Sequence, residues 1–234
     1  MSGMKIEVLF PEFCNLFGDL FNVIYLEKCL PEVQRVDTPL SGEPLFAREV
    51  PNLIYMGPMS ERSQEKVISK LLPYRERLVE LIQGGTAFLL TGNALEVLGS
   101  YIEQDGSRIS GLGILPLSAR RDMMHRHNSV FLGSWQGQEI IGFKSQFTMA
   151  WPEEGAQGLF PVKKGVGLNP KQDFEGLRQQ NLFATYLLGP VLLMNPCFAR
   201  SVLDAMGAEH SPLALKPVVQ SAWESRIRDF HEKC

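Results

Sequence analysis

The first hundred residues alternate between short apolar runs and longer stretches of helical period. Met4 to Pro11 (MKIEVLFP) alternates and then runs apolar, as the first strand of a parallel sheet does. In FGDLFNVIYLEKCL, Leu20, Val23, Ile24 and Cys29 or Leu30 lie near helical spacing, which predicts a helix after that strand. Val36 to Val50, rich in Pro, Ser and Gly, reads as a connection with room for one short strand. Asn52 to Gly57 (NLIYMG) is a compact apolar strand stopped by Gly57-Pro58. A long helical pattern follows, opened by Ser60 as a candidate N-cap and closed by Gly84-Gly85; Pro73 should interrupt it, kink it or split it in two. Thr86 to Leu90 is a further buried strand. Thr91-Gly92-Asn93 then turns sharply into Ala94 to Gln104 (ALEVLGSYIEQ), which reads as an amphipathic helix.

This β-α-β-α order predicts an α/β fold: a doubly wound, mostly parallel sheet flanked by helices. The second half changes character. GLGILPLSARR, NSVFLGSWQGQEIIGFKSQFTMAW and GLFPVKKGVGLN hold short strands with Gly turns, the pattern of a short antiparallel extension. NLFATYLLGPVLLMNP returns to a buried strand followed by a loop, and NPCFARSVLDAMG reads as a helix closed by Gly207. The tail PVVQSAWESRIRDFHEKC predicts a last helix with Val218, Trp223, Ile227 and Phe230 on one face. With no repeat, linker or low-complexity tract, a single domain over residues 1–234 is expected.

Composition narrows the function classes. A formal net charge of -3 gives no electrostatic case for nucleic acid or an anionic membrane as partner. No apolar run approaches bilayer length, and the N-terminal segment, with Glu7, Glu12 and Asp19, lacks a signal-peptide pattern. The 4 cysteines (Cys14, Cys29, Cys197, Cys234) form no CxxC pair and no His stands at metal spacing, so a cytoplasmic protein with free thiols, no metal and no cofactor is expected. Cys14 and Cys29 sit among apolar neighbours and read as packing. Cys197 follows Asn195-Pro196 at a helix start, where the dipole would lower its pKa; it reads as a redox or labelling position and not a catalyst. The basic cluster Arg120, Arg121, His125, Arg126, His127 reads as a solvated loop, its histidines without a local Asp or Cys partner.

A strand that stops and turns straight into a helix is where many α/β enzymes display a nucleophile. Here the bend offers Thr91, Gly92 and Asn93, and neither Cys nor Ser. Around it, LFPEFCNLFGDLFNV, YMGPMSERSQ, LTGNALEVLGSYI, GLGILPLSAR, GQEIIGFKSQ, KGVGLNPKQDFEGLRQQN and FATYLLGPVLLMNP follow one another from about residue 5 to about residue 207. In that order and spacing they resemble the glutaminase subunit of bacterial lipid II isoglutaminyl synthase and the wider cobyric-acid-synthase-like branch of class I glutamine amidotransferases. The resemblance implies a glutaminase fold. In that family an elbow Cys attacks the glutamine amide, backbone N–H groups hold the oxyanion, a His moves the proton, and ammonia passes to a partner that has activated a carboxylate.

Carried over residue by residue, that chemistry is missing. The family elbow reads Cys-Gly-Gly-Tyr-Gln-Leu-Leu-Gly. Anchored on Gly99, the Cys position is Gly92, or Thr91 with a shift of one, and the glutamine-contacting Gln becomes Glu96. Thr-Tyr-Leu-His-Gly-Pro corresponds to Thr185-Tyr186-Leu187-Leu188-Gly189-Pro190, with Leu188 in the His position. The oxyanion-side loop reads Met56-Gly57-Pro58-Met59, and Pro58 removes a backbone donor. Gly165, Gly167, Asn169, Asp173, Glu175, Gly176, Asn181, Thr185 and Tyr186 keep the family's turns and strands, for which a structural role suffices.

Two readings follow. In one, the chain is a non-catalytic glutaminase-like subunit, and the resemblance implies as partner a Mur-ligase-like, ATP-dependent amidating enzyme of cell-wall precursors. In the other, the pocket around Gly57, Thr91, Asn93, Glu96, Asn181 and Tyr186 is reused, by an enzyme with a relocated nucleophile such as Thr91 or by a binder of an amino acid or other small carboxylate near Thr91, Asn93 and the helix N-terminus.

Overall fold

The computed structural model describes residues 3–233; Cys234 lies outside the described residues. Strands β1 (Lys5–Leu9), β2 (Gln34–Thr38), β3 (Leu53–Met56) and β4 (Ala87–Thr91) alternate with helices α1 (Phe21–Cys29), α2 (Glu61–Leu71) and α3 (Arg75–Gln83). Pro73 splits the long helical pattern, as its missing N–H requires, through a 3-10 turn at Leu72–Tyr74. Ser60 caps α2 by accepting from the Ser63 N–H at 3.2 Å.

After β4 the chain departs from the expected helix. Helix α4 is confined to Ala94–Val97, and Tyr101–Gln104 is strand β5. The cause is packing: the Ser100 N–H donates to the Leu117 carbonyl at 2.7 Å, and the chain goes on to pair with the strand β7 (Leu117–Arg121). Strands β5, β6 (Ser107–Ser110), β7 (Leu117–Arg121) and β10 (Thr148–Pro152) form a separate sheet in the order β10-β7-β5-β6.

The large sheet adds β8 (His127–Trp135), β9 (Gln138–Gln146), β11 (Gly158–Lys164), β12 (Phe174–Gln179) and β13 (Leu182–Thr185), in the order β2-β1-β3-β4-β13-β12-β11-β8-β9. Its first five strands are parallel and every pairing beyond β13 is antiparallel. "Mostly parallel" is therefore corrected to half parallel, and the antiparallel part is no short extension. Two-residue turns, Gln136-Gly137 between β8 and β9 and Gln180-Asn181 between β12 and β13, join neighbouring strands directly, which only antiparallel pairing permits.

Alternate residues of the parallel strands feed two cores. Ile54 and Met56 of β3 join α2, α3 and the small sheet, whereas Leu53 and Tyr55 face α1 and α6 (Pro196–Ala205). The second core carries an edge-to-face aromatic cluster of Trp135, Phe160, Phe183 and Phe198. A one-turn helix, α5 (Val191–Met194), precedes α6, and α7 (Lys216–Lys233) lays Trp223, Ile227 and Phe230 on Leu132 and Ile141. Val218 does not share that face; it is exposed, and Val219 is buried in its place. Among the described residues no helix is long and apolar enough to cross a membrane.

Candidate functional site

The carboxyl ends of parallel strands are where open α/β sheets place their crevices. Here the segments after β1, β3, β4 and β13 converge on a pocket of about 190 Å³ lined by Phe17, Pro58, Asn93, Arg126, Tyr186 and Leu188, with Gly92 on its wall. Gly92 has φ +58°, the left-handed conformation that lets β4 turn abruptly. A Cβ built there would stand 2.5 Å from Pro58 Cβ and 3.0 Å from Leu188 Cδ2. The fold thus brings Gly92 and Leu188 together, and the hydrocarbon of Pro58 and Leu188 occupies the place where a side chain at position 92 would start.

The oxyanion side is equally occupied. Pro58 has no N–H, and the Met59 N–H donates to Asn93 Oδ1 at 3.0 Å while Asn93 Nδ2 donates back to the Met59 carbonyl at 2.8 Å. Asn93 is a clamp between elbow and loop. Helix α4 is a single turn, so the dipole it adds at the elbow is small.

The remaining sequence candidates separate. Thr91 is fully buried and turned away from the pocket, its Oγ1 3.3 Å from Tyr55 Oη. Gly57 packs under the loop, where a Cβ would meet the Cys14 carbonyl oxygen at 2.5 Å. Asn181 is at the opposite end of β13, donating to the Gly85 carbonyl at 2.8 Å. Glu96 lies beneath the pocket, accepting from Tyr186 Oη at 2.9 Å and Gln64 Nε2 at 3.0 Å, with an Arg121 nitrogen 3.9 Å away. Burial pushes Glu96 up to about 7, against the hydrogen bond from Gln64 and the charge of Arg121.

Arg121 corrects the sequence reading of the basic cluster. It is buried, donates to Gln64 and, at 3.0 Å, to Gln104 Oε1, and leaves its Nε without a partner. His125 does have a local Asp: its Nδ1 is 2.8 Å from Asp122 Oδ2 on the surface. Beside the pocket, and sharing Arg126, Phe147 and Thr148 with it, opens a cavity of about 600 Å³ that His125, His127, Met149 and Trp151 help to line. Cys197 is also corrected, because burial pushes its thiol up despite its place in the first turn of α6. Cys14 and Cys29 are buried and free, and no group of three His, Cys, Asp or Glu is placed to hold a metal among the described residues.

Sequence reasoning did not single out Asp19. It is buried beneath the Gly189-Pro190 turn, accepting from the Gly189 N–H, and its Oδ2 has no partner. Burial pushes it up to about 7, against hydrogen bonds from Thr91 and the Gly189 amide. The folded protein therefore holds a proton that the unfolded chain releases near pH 4, and stability falls as pH rises from about 4 to about 7. Asp19→Asn keeps the acceptor for Gly189 and should remove that part of the slope. Urea melts at pH 5 and pH 8 check this; an unchanged slope would contradict it.

No protein-family model matches the chain. It is 29% identical, over 83% of its length and 81% of the relative's, to the GatD subunit of the glutamine-hydrolysing lipid II isoglutaminyl synthase of Staphylococcus aureus strain N315. The corresponding GatD subunit of Streptococcus pneumoniae strain ATCC BAA-255 / R6 is 24% identical, with 97% of this chain and 89% of that protein covered. A crystal structure of a glutamine amidotransferase superposes with TM-score 0.56 at 15% identity, covering 86% of this chain and 98% of that one. A glutamine amidotransferase of Thermotoga maritima gives TM-score 0.52 at 14% identity, with 98% and 92% covered. The chain has a glutamine amidotransferase-like fold.

Proposed function

We propose that the chain is a glutaminase-like subunit without glutaminase activity, acting in the amidation of cell-wall precursors by binding a Mur-ligase-like, ATP-dependent partner. The observation that carries this reading is the packing at the elbow. The positions that the resemblance aligns with the family's nucleophile and base are Gly92 and Leu188, and a side chain on Gly92 would run into both Pro58 and Leu188. A thiolate attack needs the first group, ammonia release needs a proton carrier at the second, and the intermediate needs donors that Pro58 and Asn93 have removed. Similarity to two subunits named for lipid II isoglutaminyl synthase supports the pathway. In this reading ammonia reaches the partner from solution or is not needed, and the subunit's contribution is to hold its partner.

The expected result for the purified chain with millimolar glutamine is no glutamate release above buffer. Release that persists through repurification and is abolished by Thr91→Ala would overturn the reading.

A second reading, binding of an amino acid or other small carboxylate, is favoured by Arg126. Its guanidinium lies 4.3 Å over the Phe147 ring, donates to Ser145 Oγ at 3.2 Å and makes no ion pair among the described residues. Gln146 Oε1, buried at the same pocket, has no partner. Calorimetric titration with glutamine, glutamate and aspartate distinguishes this reading: saturable heat lost in Arg126→Ala supports it, and heats equal to dilution count against it.

A further inference from the structure

A second concavity lies on the other side of the Leu188 wall. Phe17, Val130, Ile141, Phe143, Leu188 and Met194 line an apolar groove of about 450 Å³, and Arg226 of α7 is the one charged side chain in its lining. Three of these side chains are far from buried: Phe17 is 51% exposed, Val130 47% and Phe143 42%. Phe17 also has φ +61°. A bulky residue in the left-handed region costs the fold about 1–2 kcal/mol. The ring it presents is half-exposed and lines both this groove and the elbow pocket.

The neighbouring sheet edge is closed to another strand. Strand β9 ends the large sheet, but Asn195 accepts from the Ile141 N–H and donates to the Ile141 carbonyl, both at 2.9 Å, and the Phe143 carbonyl accepts from the Leu188 N–H at 2.9 Å. Recognition here therefore runs through side chains and not through added backbone pairing.

Charge selects among occupants. Arg226 makes no ion pair among the described residues. Two copies of this chain meeting groove to groove would bring two Arg226 side chains together with no acid in either lining, which disfavours a symmetric dimer. Half-exposed aromatics beside a free guanidinium are instead the composition of an interface hot spot. We infer that the groove docks a segment of a protein partner carrying an aromatic or branched aliphatic side chain next to a carboxylate, the first filling the space between Phe17 and Phe143 and the second pairing with Arg226. Because the groove and the elbow pocket share Phe17 and Leu188, a partner seated there stands at the elbow mouth. The partner's identity rests on the proposed function; the groove as its seat rests on this geometry.

The test is calorimetric titration of the purified chain with the Mur-ligase-like subunit from the same source. It compares wild type, Phe143→Ser, Arg226→Gln, Arg226→Glu and, as a control on the exposed face of the small sheet, Arg108→Glu, with thermal melts confirming that each is folded. Phe143→Ser and Arg226→Glu are expected to raise Kd about tenfold or more, Arg226→Gln less, and Arg108→Glu within about twofold. Tight binding that none of the groove substitutions weakens would overturn the docking site and leave the partner standing. No binding of wild type to that subunit would overturn the proposed function, and this docking assignment with it. A concentration-dependent dimer that Phe143→Ser dissolves would give the groove to a second copy and overturn the inference.

Discussion

Gly92→Cys is expected to destabilise the protein by about 3 kcal/mol and to restore no glutamine hydrolysis, alone or with Leu188→His. Any side chain at position 92 must adopt φ +58° and place its Cβ 2.5 Å from Pro58 Cβ, well inside van der Waals contact. Leu188→His supplies a base, yet Pro58 still crowds the thiol and Asn93 still consumes the Met59 N–H that would face an oxyanion. Glu96, which the sequence resemblance aligns with the family's glutamine-contacting residue, stays tied to Tyr186 and Gln64. Adding Pro58→Gly should return part of the lost stability by removing the closest contact. Urea melts and a glutamate-release assay on the single, double and triple variants check both halves. Robust turnover by the double variant would show that the loop and pocket departures do not matter.

Arg121→Met should cost about 3 kcal/mol at pH 8 and clearly less at pH 5. The substitution strips donors from Gln64 and Gln104 and leaves Glu96 buried without its cation. Burial already holds Glu96 near 7, above its unfolded value, so at pH 5 it is protonated in the fold and loses little when Arg121 goes. Above that range the variant must either keep the proton, at growing cost, or bury an unpaired carboxylate. Adding Glu96→Gln should recover part of the loss, a coupling readable by a double-mutant cycle of urea melts at both pH values. An equal loss at pH 5 and pH 8 would mean that Arg121 acts by packing alone.

The sequence made much of this scaffold legible, and its failures share a cause. Strands β1, β3, β4 and β13 and the split at Pro73 were readable because period, apolar runs and Pro are local signals. The stretch ALEVLGSYIEQ has a helical period, but the helix ends at Val97 and the Ser100 N–H turns to the Leu117 carbonyl of β7, a partner from across the fold. Arg121 looked like one more exposed cation, since its partners Gln64, Glu96 and Gln104 lie 57, 25 and 17 residues away. Asp19 was not singled out by the sequence, because the turn at Gly189 that buries it arrives 170 residues later. Position 92 was readable as empty of sulfur from the sequence alone; that its space is filled by Pro58 and Leu188 appears only in the folded chain.

The central claim, that the elbow has lost its chemistry, is tested most directly by the intact mass of the chain after incubation with a glutamine-like diazoketone that alkylates amidotransferase nucleophiles. The account predicts an unchanged mass under conditions that fully label an active glutaminase. A stoichiometric adduct that peptide mapping places on a residue of the elbow pocket, or on Thr91 behind it, and that excess glutamine prevents, would contradict it.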